Sequence, residues 1–335
     1  MNIPRPLALL LWPLSLVYAS AASLRAWLYK HGWLKQQRLN RPVISVGNLT
    51  TGGTGKTPMV IWIAEKLLAE GKRVAILSRG YYGSNGTSDE IELMKQRLNG
   101  RVMFGVGPDR YAEGQRLESA GVDVYVLDDG FQHLQLARDV DIVLVDSTRP
   151  LKNEFVLPAG RLREPRSALN RANAVVFTRT EQSNPTVNAI QNFPQFAIYP
   201  AVTRLLGFRR QGTDDHQEPL RPSVTGSHFA FCGIGNPDAF FADLERWGIH
   251  LAGRRAFPDH HRYSPREVAA LERAAALAGA NTLVTTEKDA QNIQPAVSSK
   301  LSIEVAVVAM ELPDEREFLR DLQNRLPAVV GVAAS

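Results

Sequence analysis

Val43-Ile44-Ser45-Val46-Gly47-Asn48-Leu49-Thr50-Thr51-Gly52-Gly53-Thr54-Gly55-Lys56-Thr57-Pro58-Met59-Val60 is the stretch that decides the fold. Its opening, led by Pro42, is short, apolar and β-branched, and reads as a buried strand. Beyond the glycines, Met59, Val60, Trp62, Ile63, Leu67 and Leu68 recur at helical spacing. Strand, glycine-rich loop, Lys-Thr and helix is the order that a phosphate-binding P-loop requires. Glycines let backbone N–H groups close around phosphate oxygens, and the helix N-terminus adds a favourable dipole. Thr51, Gly52, Gly53, Thr54, Gly55, Lys56 and Thr57 are therefore the expected nucleotide cradle. Lys56 would reach the β- and γ-phosphates of ATP, and the Thr57 hydroxyl would meet Mg²⁺. Position 50 is Thr where the usual motif begins with Gly.

A partner carboxylate is expected at the end of a second buried strand. Val122–Leu127 is apolar except for Asp123 and runs into Asp128-Asp129-Gly130-Phe131-Gln132-His133. Asp128 is read as the metal ligand, and Asp129 as serving metal, substrate or catalysis; a helix cap or turn Asp is the plainer alternative. Further strand-like runs at Val74–Leu77, Ile142–Val145 and Ala174–Phe177, with helical patterns between several of them, argue for an α/β fold. The expected core is a mostly parallel sheet with helices on both faces. From about Thr203 the character changes, and 210–225 is polar and turn-rich. A second alternation follows: a strand at Phe229–Cys232, a tight Gly233-x-Gly235 turn, and a helix over Asp238–Trp247. Then come a helix over Pro265–Leu277, a strand at Thr282–Thr285 and a last helix near Asp314–Leu326. The expected division is an N-terminal segment 1–40, a P-loop core 41–205 and a smaller α/β domain 206–335, its last helix free to return to the core.

The net charge of +5 is unevenly placed. No acidic residue precedes Glu65, whereas Arg5, Arg25, Lys30, Lys35, Arg38, Arg41 and Lys56 do; the rest holds 32 basic against 34 acidic residues. With no extended basic stripe, nucleic acid is excluded as a partner. Leu7–Leu24 carries no charge and is followed by that basic flank. A signal peptide, a membrane span and a helix lying in one leaflet compete for this segment. The third is favoured, with Trp12, Trp27 and Trp33 near headgroups and the cations on phosphates. Pro13 is expected to kink or break a spanning helix; a buried core helix is the bland alternative. The single cysteine, Cys232, lies in an apolar run and reads as a buried structural thiol.

These motifs, taken in order, resemble the tetraacyldisaccharide 4′-kinase family over nearly the whole chain. The resemblance rests on Val46–Thr50 leading into Gly52–Pro58, then Ser78-Arg79-Gly80-Tyr81, Ser88-Asp89-Glu90 and Asp128–His133. It continues through Leu157–Glu164, Phe257-Pro258-Asp259-His260-His261 and Thr286-Glu287-Lys288-Asp289. Thr50 looks like the family's own variant of the loop; Ser88-Asp89-Glu90-Ile91 departs from an expected Gly-Asp-Glu-Pro. The resemblance implies transfer of the ATP γ-phosphate to the 4′-hydroxyl of an acylated glucosamine disaccharide 1-phosphate. It also implies Mg²⁺, a monotopic helix on the cytoplasmic face of a bacterial inner membrane, and no obligate protein partner. It places an Asp–His pair, Asp89 and His260, at the acceptor, alongside Asp129 and Lys56. Thr57, Asp128 and Glu90 are the candidate metal ligands, and the smaller domain would bring His260 to the nucleotide cleft by closure. Arg79, Arg161 and Arg163 stand as phosphate partners or structural ion-pair residues, and His133 as a metal-site support or a turn filler. Two other functions compete. A membrane-associated ATPase switch would carry a signature Lys where Thr51 stands, and a nucleotide sensor would need neither Asp89 nor His260.

Overall fold

The computed structural model describes residues 5–80, 88–149, 151, 154–183, 196–212, 219–294 and 299–327. Tyr81 and residues 213–218 of the polar stretch lie outside the described residues. The chain divides into two compact units. One takes Met1–Gly86, Met94–Val202 and Glu311–Ser335; the other takes Thr87–Leu93 and Thr203–Met310.

The first unit holds α1 (Arg5–Lys30), β1 (Val43–Asn48), α2 (Lys56–Ala69), β2 (Val74–Ser78), β3 (Met103–Val106) and α4 (Arg110–Glu118). It continues with β4 (Val124–Asp128), β5 (Val140–Asp146), β6 (Ala174–Thr178), β7 (Ala197–Pro200) and α8 (Glu315–Arg325). The seven strands pair in the order β3-β2-β4-β1-β5-β6-β7, every neighbour parallel. Strands β1, β2, β4, β5 and β6 are buried at every position, which a parallel sheet covered on both faces demands. Val43, Ala75, Leu77, Tyr125 and Leu127 pack with Leu117 of α4. Ile44, Val46, Ile76 and Val126 alternate with them and are equally buried, and α2 lies against β1 and β4. Phe318 of α8 meets the rings of Trp62 on α2 and Tyr199 on β7 edge-on, at 5.5 and 5.0 Å. After β1 the chain moves to β2, whereas β5 lies on β1's other side. The carboxyl end of β1 is thus the switch point where α/β sheets bind ligands.

The helix α1 runs without interruption through Pro13, contrary to the expected break. Proline removes only the bond to the Leu9 carbonyl, and the next turn is pinned twice. The Ser15 hydroxyl donates to the Leu11 carbonyl at 3.4 Å and accepts from the Ala159 N–H at 2.9 Å. Ala8 and Ser15 are buried, while Leu9, Leu10, Trp12, Leu14 and Val17 on the other side are exposed. The core-helix alternative therefore fails: only 11% of its apolar window is buried.

The second unit carries the start of α3 (Asp89–Leu98), β8 (Val202–Arg210), β9 (His228–Cys232), α5 (Pro237–Arg246), β10 (Leu251–Ala256) and α6 (Pro265–Leu277). After these come β11 (Thr282–Thr286), α7 (Glu287–Gln291) and β12 (Ser302–Glu311). Its strands lie in the order β10-β9-β11-β12-β8. Phe229, Phe231 and Leu283 pack on Val268, Leu271 and Ala275 of α6. On the opposite face Ala230, Cys232 and Val284 pack on Phe240, Phe241 and Leu244 of α5. Cys232 is buried and free, and burial raises its thiol pKa, so it is a packed thiol rather than a nucleophile. Ser264 caps α6 with a full capping box to Glu267, Pro265 standing at the first helical position.

Candidate active site

The loop between β1 and α2 turns on Gly52 and Gly55, whose φ angles of 110° and 88° a side chain would strain. Gly55 caps α2 without a side-chain acceptor, so the N–H groups of the first turn are left to whatever anion the loop encloses. Asn48, buried at the end of β1, ties the loop across its base: its side-chain N–H donates to the Thr54 hydroxyl at 2.9 Å.

Strand β4 delivers the two carboxylates. Asp128 is 3% exposed and accepts from the Ser78 hydroxyl at 3.1 Å. Asp129 stands beyond the strand in the left-handed region, φ 49°, which turns its side chain toward Lys56. Its carboxylate receives both arms of Arg163 at 2.9 and 3.0 Å and lies 3.6 Å from Lys56 Nζ. Burial acts to raise the Asp129 pKa, but Lys56 and Arg163 outweigh it and hold the carboxyl below its usual value. Gly47 and Gly130 let this turn lie against β1: a Cβ on Gly47 would fall 2.6 Å from Phe131 Cβ, and Gly130 N–H donates to the Val46 carbonyl at 3.1 Å. The segment 154–164 runs beside the loop, where Thr51 N–H reaches the Arg161 carbonyl and Arg163 N–H reaches Leu49. The Arg161 side chain pairs with Glu154, whereas Arg163 joins the loop to Asp129. His133 is held neutral, its pKa depressed to about 4 by burial and by the charges of Arg110 and Arg138.

Asp89 and His260 meet within the second unit. His260 Nδ1 lies 3.0 and 3.2 Å from the two Asp89 oxygens, and its backbone is left-handed, φ 61°. Ser88 caps α3 through its hydroxyl, which accepts from the Ile91 N–H at 3.3 Å, while Asp89 Oδ1 takes the Glu90 N–H at 3.0 Å as well as facing His260. Asn292, which the sequence reading missed, donates to Asp89 Oδ2 at 3.0 Å. Lys288 Nζ lies 3.0 Å from Asp259, 3.4 Å from His260 Nε2, 3.7 Å from Glu90 and 3.9 Å from Asp89. Ammonium only donates, so in neutral His260 the lone pair sits on Nε2 and the proton on Nδ1, facing Asp89. Burial alone would raise the Asp89 pKa; the His260 hydrogen bond and the Lys288 charge reverse this and bring it to about 2. The Asp89 bond raises His260's own pKa, against burial and Lys288. Glu90 belongs to this cluster, whereas Thr57 and Asp128 belong to the first unit. Thr286 caps α7 through its hydroxyl, and Asp289 Oδ1 takes the Gly233 N–H and the Tyr263 hydroxyl, both at 2.7 Å.

A glycine loop closing on Lys-Thr at the switch point of a parallel sheet, with carboxylates ending the neighbouring strand, defines the P-loop nucleotide-binding class. The family described as tetraacyldisaccharide-1-P 4′-kinase (LpxK) matches residues 7–327, and the chain belongs to it. The tetraacyldisaccharide 4′-kinase of Geobacter metallireducens is 44% identical, the match covering 92% of this chain and 95% of that one. The protein of the same name from Pelobacter propionicus is 41% identical over 85% of this chain and 83% of its own. The crystal structure of the "apo" form LpxK from Aquifex aeolicus in complex with ATP superposes with a TM-score of 0.74 at 30% identity, covering 96% of this chain and all of that one.

Proposed function

We propose that this chain is an ATP-dependent kinase that moves the γ-phosphate of ATP to the 4′-hydroxyl of a tetraacylated glucosamine disaccharide 1-phosphate. The observation that carries the reading is the loop whose Lys56 is drawn to Asp129, in a chain 44% identical to a tetraacyldisaccharide 4′-kinase. Phosphoryl transfer needs little covalent chemistry from the protein; positioning and charge neutralisation lower the barrier. Lys56 and the N–H groups opening α2 supply positive charge to the β- and γ-phosphates. Asp129, itself anchored by both arms of Arg163, draws Lys56 toward it. The Thr57 hydroxyl and the Asp128 carboxylate are hard oxygen donors of the number a Mg²⁺ carried mainly by phosphate and water requires. A Mg²⁺ held by Thr57 and Asp128 would supply positive charge against the negative charge that builds on the leaving group. The Asp89–His260 pair serves the acceptor. As the sugar oxygen bonds to γ-phosphorus and the bond to the β-phosphate oxygen breaks, the hydroxyl proton passes to this pair, and ADP leaves.

The exposed apolar side chains of α1, followed by exposed Arg25, Lys30, Lys35 and Arg38, support a monotopic seat on the cytoplasmic face of a bacterial inner membrane, where ATP and an acylated substrate are both available. The test is transfer of labelled γ-phosphate to a tetraacylated disaccharide 1-phosphate in detergent with Mg²⁺, beside Lys56→Ala and Asp89→Ala. Labelled lipid from the wild type with a large loss in both variants is expected. ATP hydrolysis that needs Lys56 but labels no lipid would replace the kinase with an ATPase switch.

A further inference from the structure

The loop's carbonyls are engaged from outside. Leu49 O accepts from Arg163 N–H at 2.7 Å, Thr50 O from Arg163 Nε at 3.4 Å and Gly52 O from Asn48 at 3.4 Å. The next two are held from the end of β6: Gly53 O accepts from Arg179 Nη1 at 3.3 Å, and Thr54 O from the Thr178 hydroxyl at 3.0 Å. In a planar trans peptide the carbonyl and the following N–H point in opposite directions. Turning Gly53 O and Thr54 O toward β6 therefore turns the N–H groups of Thr54 and Gly55 the other way, into the loop.

Arg179 is built for this contact. Its backbone is left-handed, φ 58°, a conformation that a side chain of this size adopts at a cost. The same Nη1 that reaches Gly53 donates to Asp146 Oδ2 at 2.7 Å. Asp146, at the end of β5, is only 5% exposed in its side chain, and its other oxygen is held by the N–H and hydroxyl of Thr148 at 3.0 and 2.7 Å. An anchored carboxylate thus aims one guanidinium nitrogen at one loop carbonyl.

We propose that Arg179, aimed by Asp146, is a positioning residue that sets the Gly53–Thr54 peptide of the phosphate loop and so pre-forms the N–H cradle for the nucleotide's phosphates. The proposal rests on the nucleotide reading of the loop. Arg179 holds the backbone that would meet the phosphates, so its loss weakens nucleotide binding and leaves the lipid side of the reaction alone.

The test is equilibrium binding of a fluorescent ATP analogue to the full-length detergent-solubilised protein, with KM values for ATP and lipid beside it. Arg179→Met should weaken binding by about tenfold to a hundredfold, the worth of one charge-assisted hydrogen bond. The lipid KM should stay within about twofold, and Arg179→Lys should recover most of the affinity. Asp146→Asn should weaken binding in the same direction, and the double variant should be no worse than Arg179→Met, because the two act through one contact. Wild-type affinity in Arg179→Met overturns the proposal. So does a loss of affinity matched by an equal fall in nucleotide-free thermal stability with no rescue by lysine, which would make the arginine a general scaffold element. A wild type that binds no analogue, or a Lys56→Ala variant that binds it undiminished, would instead defeat the nucleotide reading itself.

Discussion

Replacing Gly47 by alanine puts a methyl group where the structure has no room. The new Cβ would lie 2.6 Å from Phe131 Cβ and 2.7 Å from Phe131 N, both fixed to main chain. Neither side can yield cheaply. Strand β1 is central and paired on both edges, and the Phe131 turn is tied to it by the Gly130–Val46 bond. Overpacking of this kind costs about 3 kcal/mol, and at about 2–4 °C per kcal/mol for a chain portion of this size the midpoint should fall by roughly 6–12 °C. The transition to follow is the one that added ATP raises, since it belongs to the unit that carries the loop. Any relief of the clash moves Asp129, two residues earlier, away from Lys56, so the KM for ATP should rise as well. Gly107→Ala is the internal comparison, because its Cβ meets only the flexible Glu113 side chain at 3.3 Å. It should cost under about 1 kcal/mol. A Gly47→Ala protein that melts within a degree of wild type with an unchanged ATP KM would refute the steric argument.

Nitrogen-15 NMR of His260 should give a midpoint above the ordinary value of about 6.5, falling in Asp89→Asn and rising in Lys288→Met, which removes a facing cation; no movement in either variant would mean that the pair is not coupled. The same linkage fixes the pH dependence of the second unit: Asp89's contribution is full above about pH 4 and drains as pH falls through about 2, whereas His260's is full below its ordinary value and is lost as pH rises through its raised one. Urea midpoints of wild type and Asp89→Asn across that range should converge only at the acid end. Thr57→Val should raise the Mg²⁺ concentration needed for half-maximal phosphorylation several-fold while Asp89→Asn leaves it unchanged; equal Mg²⁺ dependence in both would remove Thr57 from the metal. Changing Arg25, Lys30 and Lys35 to Gln should weaken binding to anionic vesicles by about 1 kcal/mol per residue with little change on neutral ones, and loss on both kinds alike would point to α1's apolar face as the sole anchor.

Chemistry that dictates residue types left the clearest trace in the sequence. A phosphate loop must have its glycines and Lys-Thr, so β1, the loop and α2 stand out, and the helix read over Pro265–Leu277 matches α6. Strand β10 was passed over because Leu-Ala-Gly-Arg-Arg-Ala lies at a sheet edge with half its side chains in water, and carries no apolar alternation. Pro13 reads locally as a kink or break in α1 because the Ala159 N–H that steadies the next turn comes from 144 residues away. Distance also hid the site's supports. Arg163 meets Asn48 across 115 residues, and Asn292 meets Asp89 across 203, so no local pattern joins them. The Asp146–Arg179 pair had a visible cue, a carboxylate ending one buried strand, β5, and a guanidinium just past the end of the next, β6, but only the paired register of β5 and β6 brings them together.

The second unit is assembled from Thr87–Leu93 and from Thr203–Met310. Asp89 is therefore made 171 residues before the histidine it pairs with. At a synthesis rate of roughly 5–20 residues per second, the delay is on the order of 10–30 s. Through that interval the seven-residue segment must wait for its own unit, whereas the seven described strands of the first unit's sheet are all made before Thr203. A gene fragment starting at Thr203 would encode every strand of the smaller sheet but the first residue of β8, yet leave out the carboxylate that gives His260 its partner. Dissection of this protein must carry Thr87–Leu93 across as a graft, because the order of the gene and the boundary of the unit do not coincide.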